Sequence, residues 1–96
     1  MQQYVIIAQD GKDEEAIDRR KEVRPLHLAG AKKMKEKNNL IIGGAILDDA
    51  GNMRGSVMMV QFETEDEFKN WYANEPYITE GVWKVIEVKR FRVAEV

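Results

Sequence analysis

The sequence predicts an α+β fold: a ferredoxin-like domain in which one four-stranded antiparallel sheet carries both helices on one face. Three observations lead to this prediction. The 96 residues suffice for a single domain, 1–96, and contain no linker or internal repeat. The periodic segments follow the order β-α-β-β-α-β, which right-handed crossovers turn into this arrangement. The strands are apolar on both faces, as in a sheet that is covered on both sides.

Four short apolar segments are predicted as the strands. Residues 4–9 are rich in β-branched side chains and precede Asp-Gly-Lys, a turn signal. Residues 40–47 and 57–62 flank a loop with two glycines and an asparagine, a composition that suits a wide hairpin. Residues 82–93 form the last strand, which becomes more charged toward its end.

Residues 13–37 are predicted as the first helix, because strong helix formers follow Asp13, a residue type that caps helix N-termini. Pro25 interrupts this pattern, since proline lacks a backbone N–H and its ring crowds the preceding turn. We therefore expect either a kink or two helical pieces that meet near residues 22–24.

The second helix is predicted to begin at a capping box and to end at a proline. Thr64 and Glu67 have the spacing of that box, and Pro76 lies where the helical pattern stops. The aromatic residues of this helix share one stripe that faces the sheet: Phe68, Trp71 and Tyr72.

Both faces of the predicted sheet carry apolar side chains. Residues 57–62 place valine and methionine on each face, and residues 4–9 place isoleucine on each face. Since two helices cover only one face, we expect the other face to pack against the same face of a second copy. The predicted assembly is therefore a homodimer in which two sheets pack face to face.

Composition argues against several function classes. Fifteen Lys and Arg residues against seventeen Asp and Glu residues give a formal charge of -2, so nothing favours nucleic acid or an anionic membrane as a partner. The chain has no cysteine, which excludes disulfides and zinc–cysteine sites, and one histidine leaves few ligands for a metal ion. No segment matches a membrane span or a signal peptide, so we expect a cytoplasmic protein.

The single histidine, His27, is the first candidate functional residue, because histidine is the side chain best suited to proton transfer near neutral pH. At about 100° per residue it lies on the sheet-facing stripe, beside Gly30 and Ala31, which leave room next to its ring. Arg24 and Arg20 lie one and two turns earlier on the same side. Inward arginines are costly unless they meet carboxylates or an anionic ligand. The pattern fits a buried neutral imidazole, or an acid/base in a cavity for an organic acid or phenolate.

Glu75 and Ser56 are further candidates outside this helix. Glu75 directly precedes Pro76, where it is either a turn residue or the acid that orients His27. Ser56 follows Gly55 at the start of the third strand, where it either caps the strand or donates a hydrogen bond to a ligand. No elbow motif surrounds Ser56, which argues against a serine nucleophile.

Several motifs together resemble the YciI-like, or YCII-related, family. They are the first strand YVIIAQD, R-x-x-x-R-P-x-H-L at 20–28, Gly-Gly at 43–44, Gly-Ser at 55–56 and EPYITEGVW at 75–83. The resemblance covers nearly the whole chain, with its elements in the same order. It implies a small dimeric α+β barrel protein, from a superfamily that also includes muconolactone isomerases and small monooxygenases.

The resemblance also implies site residues. The family's proposed active site is a His-Asp pair, and its histidine matches His27. The family's acid lies in a D-P-Y/F motif, where this chain has Glu75, which is one methylene longer. An arginine and a serine common near that pair match Arg24 and Ser56. At least one member of the family is a dehydrochlorinase that acts on a chlorinated, hydroxylated ring, and most members have no assigned reaction.

The predicted function is that of an enzyme without a cofactor, which performs acid/base chemistry on a small anionic or phenolic molecule by isomerisation, elimination or a lyase reaction. His27 is its predicted acid or base, and Glu75 is predicted to orient it. Four residues are predicted to bind the substrate, two through charge and two through hydrogen bonds: Arg20, Arg24, Ser56 and Tyr77. Two other interpretations stay open: a non-catalytic dimer that binds a small ligand, and a cofactor-using relative of the oxygenases.

Overall fold

A computed structural model describes residues 1–96 as one antiparallel sheet with three helices. The strands are β1 (Gln2–Asp10), β2 (Leu40–Leu47), β3 (Met53–Phe62) and β4 (Trp83–Phe91), and they lie in the order β2-β3-β1-β4. The helices are α1 (Ala16–Glu36), α2 (Glu65–Asn74) and the single turn α3 (Pro76–Thr79). The predicted ferredoxin-like order is confirmed. The observed boundaries of the elements differ from the predicted ones by a few residues. The difference is largest at β3, which begins four residues earlier than the predicted strand 57–62 because the hairpin pairing with β2 extends to Met53.

α1 is a single helix that runs through Pro25, so it does not divide into two pieces near residues 22–24. Proline removes the donor for the carbonyl of Lys21, one turn earlier. Both residues are exposed, so water can hydrogen-bond to that carbonyl. Neither α1 nor the shorter helices combine the length and apolar character that a membrane crossing requires.

The start of α1 differs from the prediction. Glu15 occupies the N-cap position and makes no capping hydrogen bond with its side chain, so Asp13 is not the cap. The carboxylate of Asp13 instead pairs with Arg19 at 2.6 Å. This hydrogen-bonded guanidinium lowers the pKa of Asp13 to about 2. The prediction is wrong because an aspartate that could cap a helix can also form an ion pair with a nearby arginine. Residue type alone does not show which of the two interactions forms.

The predicted start and end of α2 are confirmed. Thr64 accepts a hydrogen bond from the backbone N–H of Glu67 at 3.2 Å, and Phe68 of the aromatic stripe is buried against the core. Pro76 ends α2 and is also the first residue of α3, with Glu75 at the N-cap of that turn. This turn brings Glu75 back toward α1.

The core lies between the helices and one face of the sheet. Its most deeply buried large side chains are Ile6, Val60, Tyr77 and Val82. The opposite face has no helix over it, and Ile42, Ile46 and Val85 are 61%, 39% and 59% exposed there. The prediction that both faces of the sheet are apolar is therefore confirmed.

Candidate active site

One stripe of α1 carries Arg20 and His27 toward the sheet, whereas Arg24, which is also predicted to point inward, is at its exposed edge. Arg20, Arg24 and His27 are spaced four and three residues apart, which places them on neighbouring turns of one helix face. The side chain of His27 is 11% exposed and that of Arg20 is 5% exposed, so both point inward, as the helical phase predicts. Arg24 lies at the edge of the stripe and is exposed.

Glu75 contacts the imidazole of His27. Its Oε1 atom lies against Nδ1 of His27 and also accepts a hydrogen bond from the backbone N–H of Tyr77 at 3.3 Å. The second bond is the N-cap interaction that begins α3. The side chain of Glu75 is only 3% exposed. An ionised carboxylate can only accept, so a carboxylate in this position favours the tautomer with the proton on Nδ1 and the lone pair on Nε2.

The ring of Tyr77 lies parallel to that of His27, with centroids 4.0 Å apart and an interplanar angle of 10°. The guanidinium carbon of Arg20 lies 4.7 Å from the centroid of the same tyrosine ring. The hydroxyl of Tyr77 is buried and has no hydrogen-bond partner. Burial raises the pKa of this hydroxyl above 10, although the guanidiniums of Arg20 and Arg24 offset part of the effect. Tyr77 is therefore a neutral phenol near pH 7.

Arg20 joins a second group of buried polar side chains. Its Nη1 atom donates to both carboxylate oxygens of Asp10 at 3.1 Å, and its Nη2 atom donates to Ser56 Oγ at 2.8 Å. The indole N–H of Trp83 donates to the same Oγ at 3.2 Å. The sheet register explains this grouping, since Ser56 pairs with Ala8 and Trp83 pairs with Asp10 across β1. Asp10 thus neutralises Arg20.

A cavity of about 270 Å³ lies between α1 and the hairpin of β2 and β3. The residues of its wall that carry charge or can hydrogen-bond are Arg20, Arg24, His27, Ser56 and Tyr77. Gly43, Gly44 and Ala45 also line it, so the β2 side carries no bulky side chain and the space stays open. This volume suits a small ligand.

His27 separates this cavity from a second one of about 240 Å³, whose wall includes Gly30, Asn74 and Glu75. Glu75 lines the second cavity and is not part of the wall of the first. His27 contacts the carboxylate through Nδ1, stacks one face of its ring on Tyr77, and contributes to the walls of both cavities.

All six predicted site residues lie in one region: five line the first cavity, and Glu75 lies behind His27. The sequence analysis missed Asp10 and Trp83. For Asp10 a signal existed, because it continues the alternation of inward residues along β1 and so faces the inward Arg20. For Trp83 no such signal exists in the sequence. No three His, Cys, Asp or Glu side chains come together as a group that could hold a metal ion.

Sequence comparisons match this chain over almost its full length. The family model of the YCII-related domain matches residues 2–92. An uncharacterised protein of Haemophilus influenzae is 35% identical over 95 residues, covering 93% of this chain and 95% of that protein. The protein YciI of Escherichia coli is 32% identical, with the same coverage of both chains.

Comparison with solved structures gives the same fold. The 5-chloro-2-hydroxyhydroquinone dehydrochlorinase of Burkholderia phenoliruptrix, in complex with 2,5-dihydroxybenzoquinone, superposes with a TM-score of 0.79 at 23% identity, covering 96% of this chain and 95% of its own. A dimeric ferredoxin-like protein of unknown function from Jannaschia superposes with a TM-score of 0.60 at 12% identity, covering 97% of this chain and 100% of its own. At these identities the likeness shows the shared fold.

Proposed function

The chain belongs to the YCII-related family, and from that premise we propose that it is a homodimeric enzyme that uses no cofactor and moves a proton on a small anionic or phenolic molecule. The contact between Glu75 and Nδ1 of His27 carries this proposal. It leaves Nε2 as the basic atom of an imidazole beside an open cavity. Isomerisation and elimination, including loss of chloride, both begin with such a proton removal.

His27 is the proposed acid/base and Glu75 its positioning residue. When Nε2 takes a proton, Nδ1–H of the imidazolium donates a charge-assisted hydrogen bond to Glu75, and the ring rests on the π face of Tyr77. General acid–base catalysis of this kind contributes roughly 10²–10⁴-fold to a rate.

Arg24 supports an anionic or phenolic substrate. It lines the cavity, and no carboxylate forms an ion pair with it, whereas Arg20 is already paired with Asp10. A guanidinium at the mouth of a small cavity attracts organic anions. Ser56 and Tyr77 add hydroxyl groups to the same wall. The dehydrochlorinase that shares this fold, and whose complex holds 2,5-dihydroxybenzoquinone, supports a single hydroxylated ring as the substrate class.

The uncovered apolar face of the sheet supports the homodimer. Ile42 and Val85 are more than half exposed on this face, and a second copy would remove them from water. The Jannaschia neighbour with this fold is described as dimeric. We therefore propose the face-to-face packing of two sheets that a dimeric α+β barrel has. The cytoplasmic location stays a prediction.

Replacement of Glu75 by glutamine tests the proposed pair. The amide can donate to Nδ1 and so favour the tautomer whose proton is on Nε2, which removes the base from the cavity. We expect a shift of the His27 ring signals from the Nδ1–H to the Nε2–H pattern in ¹⁵N NMR. We also expect turnover of 5-chloro-2-hydroxyhydroquinone, followed by chloride release, to fall on the order of 10²–10⁴-fold.

Glu80→Gln is the matched control, since Glu80 is an exposed glutamate just after α3 and makes no side-chain hydrogen bond. It should change neither the tautomer nor the rate. An Nε2–H tautomer in the wild-type protein would contradict the proposed pair. Tight binding of hydroxylated rings without any turnover would instead identify a ligand-binding dimer.

A further inference from the structure

The cavity beside His27 contains a hydroxyl whose hydrogen-bonding direction is determined by its neighbours. Ser56 Oγ accepts an N–H from Arg20 at 2.8 Å and another from Trp83 at 3.2 Å. Guanidinium and indole N–H groups are donors only. A hydroxyl has two acceptor lone pairs and one proton, so both lone pairs of Ser56 are occupied.

The proton of Ser56 has no acceptor within the protein. The carboxylate of this buried group, Asp10, accepts from Arg20 through both of its oxygens, and Ser56 donates no hydrogen bond to another residue. Ser56 is 2% exposed and lines the ligand cavity. Buried hydroxyls normally find a partner, so this proton is available for a ligand oxygen.

We propose that Arg20 and Trp83 fix Ser56 as a hydrogen-bond donor toward the ligand, so that the cavity selects a deprotonated oxygen, as in a phenolate or enolate, over its protonated form. This rests on the proposed function in one respect, namely that the cavity beside His27 holds the ligand. Arg20 and Trp83 are positioning residues, since they act through the serine.

This polarity complements the imidazole. Removal of a proton from a phenol or a carbon acid leaves negative charge on an oxygen of the substrate. A hydroxyl that can only donate stabilises that charge, because a hydrogen bond to an ionised acceptor is stronger than one to a neutral acceptor. The hydroxyl of Tyr77, which is buried in the same wall without a partner, adds a second O–H group.

The test uses 4-nitrophenol, whose phenol and phenolate forms absorb at different wavelengths. Titration of the full-length protein with this probe across pH gives the affinity of each form and the pKa of the bound probe. We expect the pKa of the bound probe to be lower than that of the free probe. In Ser56→Ala, the phenolate affinity should fall roughly tenfold or more, with a smaller change for the phenol, so the bound pKa rises by about one unit.

The opposite response of Ser56→Ala overturns the inference. If Ser56 accepted a hydrogen bond from the ligand, its loss would weaken the phenol more than the phenolate, and the bound pKa would fall. If the wild-type protein does not bind 4-nitrophenol, both the small-ligand cavity of the proposed function and this inference are contradicted. A bound probe with the reversed response contradicts only the inference.

Trp83→Phe tests the positioning role, because it keeps the ring but removes the N–H and frees one lone pair of Ser56. We expect the pKa of the bound probe to rise in Trp83→Phe. When Trp83→Phe is combined with Ser56→Ala, the pKa of the bound probe should rise no further than in Ser56→Ala alone. If Trp83→Phe raises the pKa of the bound probe equally in the wild-type protein and in Ser56→Ala, the positioning role of Trp83 is overturned. Trp71→Phe is the matched control, since Trp71 does not line this cavity. Ser56→Ala alone decides the direction of the bond if Trp83→Phe fails to fold.

Discussion

The buried ion pair between Asp10 and Arg20 makes a quantitative prediction about stability. The side chain of Asp10 is 1% exposed and that of Arg20 is 5% exposed, and the Nε atom of Arg20 has no partner of its own. Asp10→Asn keeps the volume and one acceptor oxygen, but removes the charge that compensates the guanidinium. Removal of one partner from a buried pair costs about 3–5 kcal/mol. We therefore expect Asp10→Asn to lower the free energy of unfolding by about 3 kcal/mol or more.

Urea denaturation at one fixed protein concentration measures this loss, since dimerisation would make the apparent stability depend on concentration. The midpoint of thermal unfolding should fall by about 12 °C or more, because 1 kcal/mol corresponds to about 4–8 °C in a domain of this size. Asp13→Asn, the same change in the exposed pair with Arg19, should alter stability little. Asp10→Leu combined with Arg20→Met should recover much of the loss. A loss below about 1 kcal/mol for Asp10→Asn would refute the reasoning.

Three further predictions concern a buried phenol, a surface carboxylate and the open sheet face. Because burial raises the pKa of Tyr77 above 10, Tyr77→Phe should remove a step above pH 10 from the ultraviolet titration of tyrosinate, and an unchanged titration contradicts this. The stability of the wild-type protein should fall above pH 10, because the unfolded chain ionises first. Arg19→Gln should raise the pKa of Asp13 from about 2 toward 3.8 in carboxyl NMR, and a value that stays at about 2 counts against the ion pair. Ile42→Lys should turn the dimer into a monomer in sedimentation velocity. Leu26→Lys is the matched control and should leave the dimer intact, since Leu26 lies on α1 and is 60% exposed, compared with 61% for Ile42. A monomeric wild-type protein rules out the dimer.

The fold could be predicted because its signals are local. The N-cap at Thr64 and the apolar residues on both faces of the strands depend on residues only a few positions apart, and each is seen in the structure. The errors arise where two local rules compete. Asp13 is a good cap and also a good partner for Arg19, and Pro25 remains inside α1, at an exposed position where water can reach the carbonyl that loses its donor. Tertiary context decided both cases.

The candidate site was less predictable, because most of its contacts join distant parts of the chain. Helical phase alone placed His27 and Arg20 toward the sheet. The contact between His27 and Glu75 spans 48 residues, which no periodicity encodes. The position of Glu75 before Pro76 made it one candidate among two interpretations, and the resemblance to a family favoured the acid. The group formed by Arg20, Ser56 and Trp83 depends on the strand register, which the sequence does not specify to the single residue.

The resemblance to the family implies an aspartate where this chain has Glu75, and the contacts of Glu75 show how the longer acid is accommodated here. One oxygen serves both the backbone N–H that begins α3 and Nδ1 of His27, so the carboxylate keeps both tasks. Burial of the longer side chain costs additional conformational entropy, and these two contacts offset part of that cost. The side chain also lines the second cavity, on the other side of His27 from the ligand space. The length of this acid therefore affects how firmly the imidazole is oriented, while the room for a ligand beside Ser56 and Tyr77 stays the same.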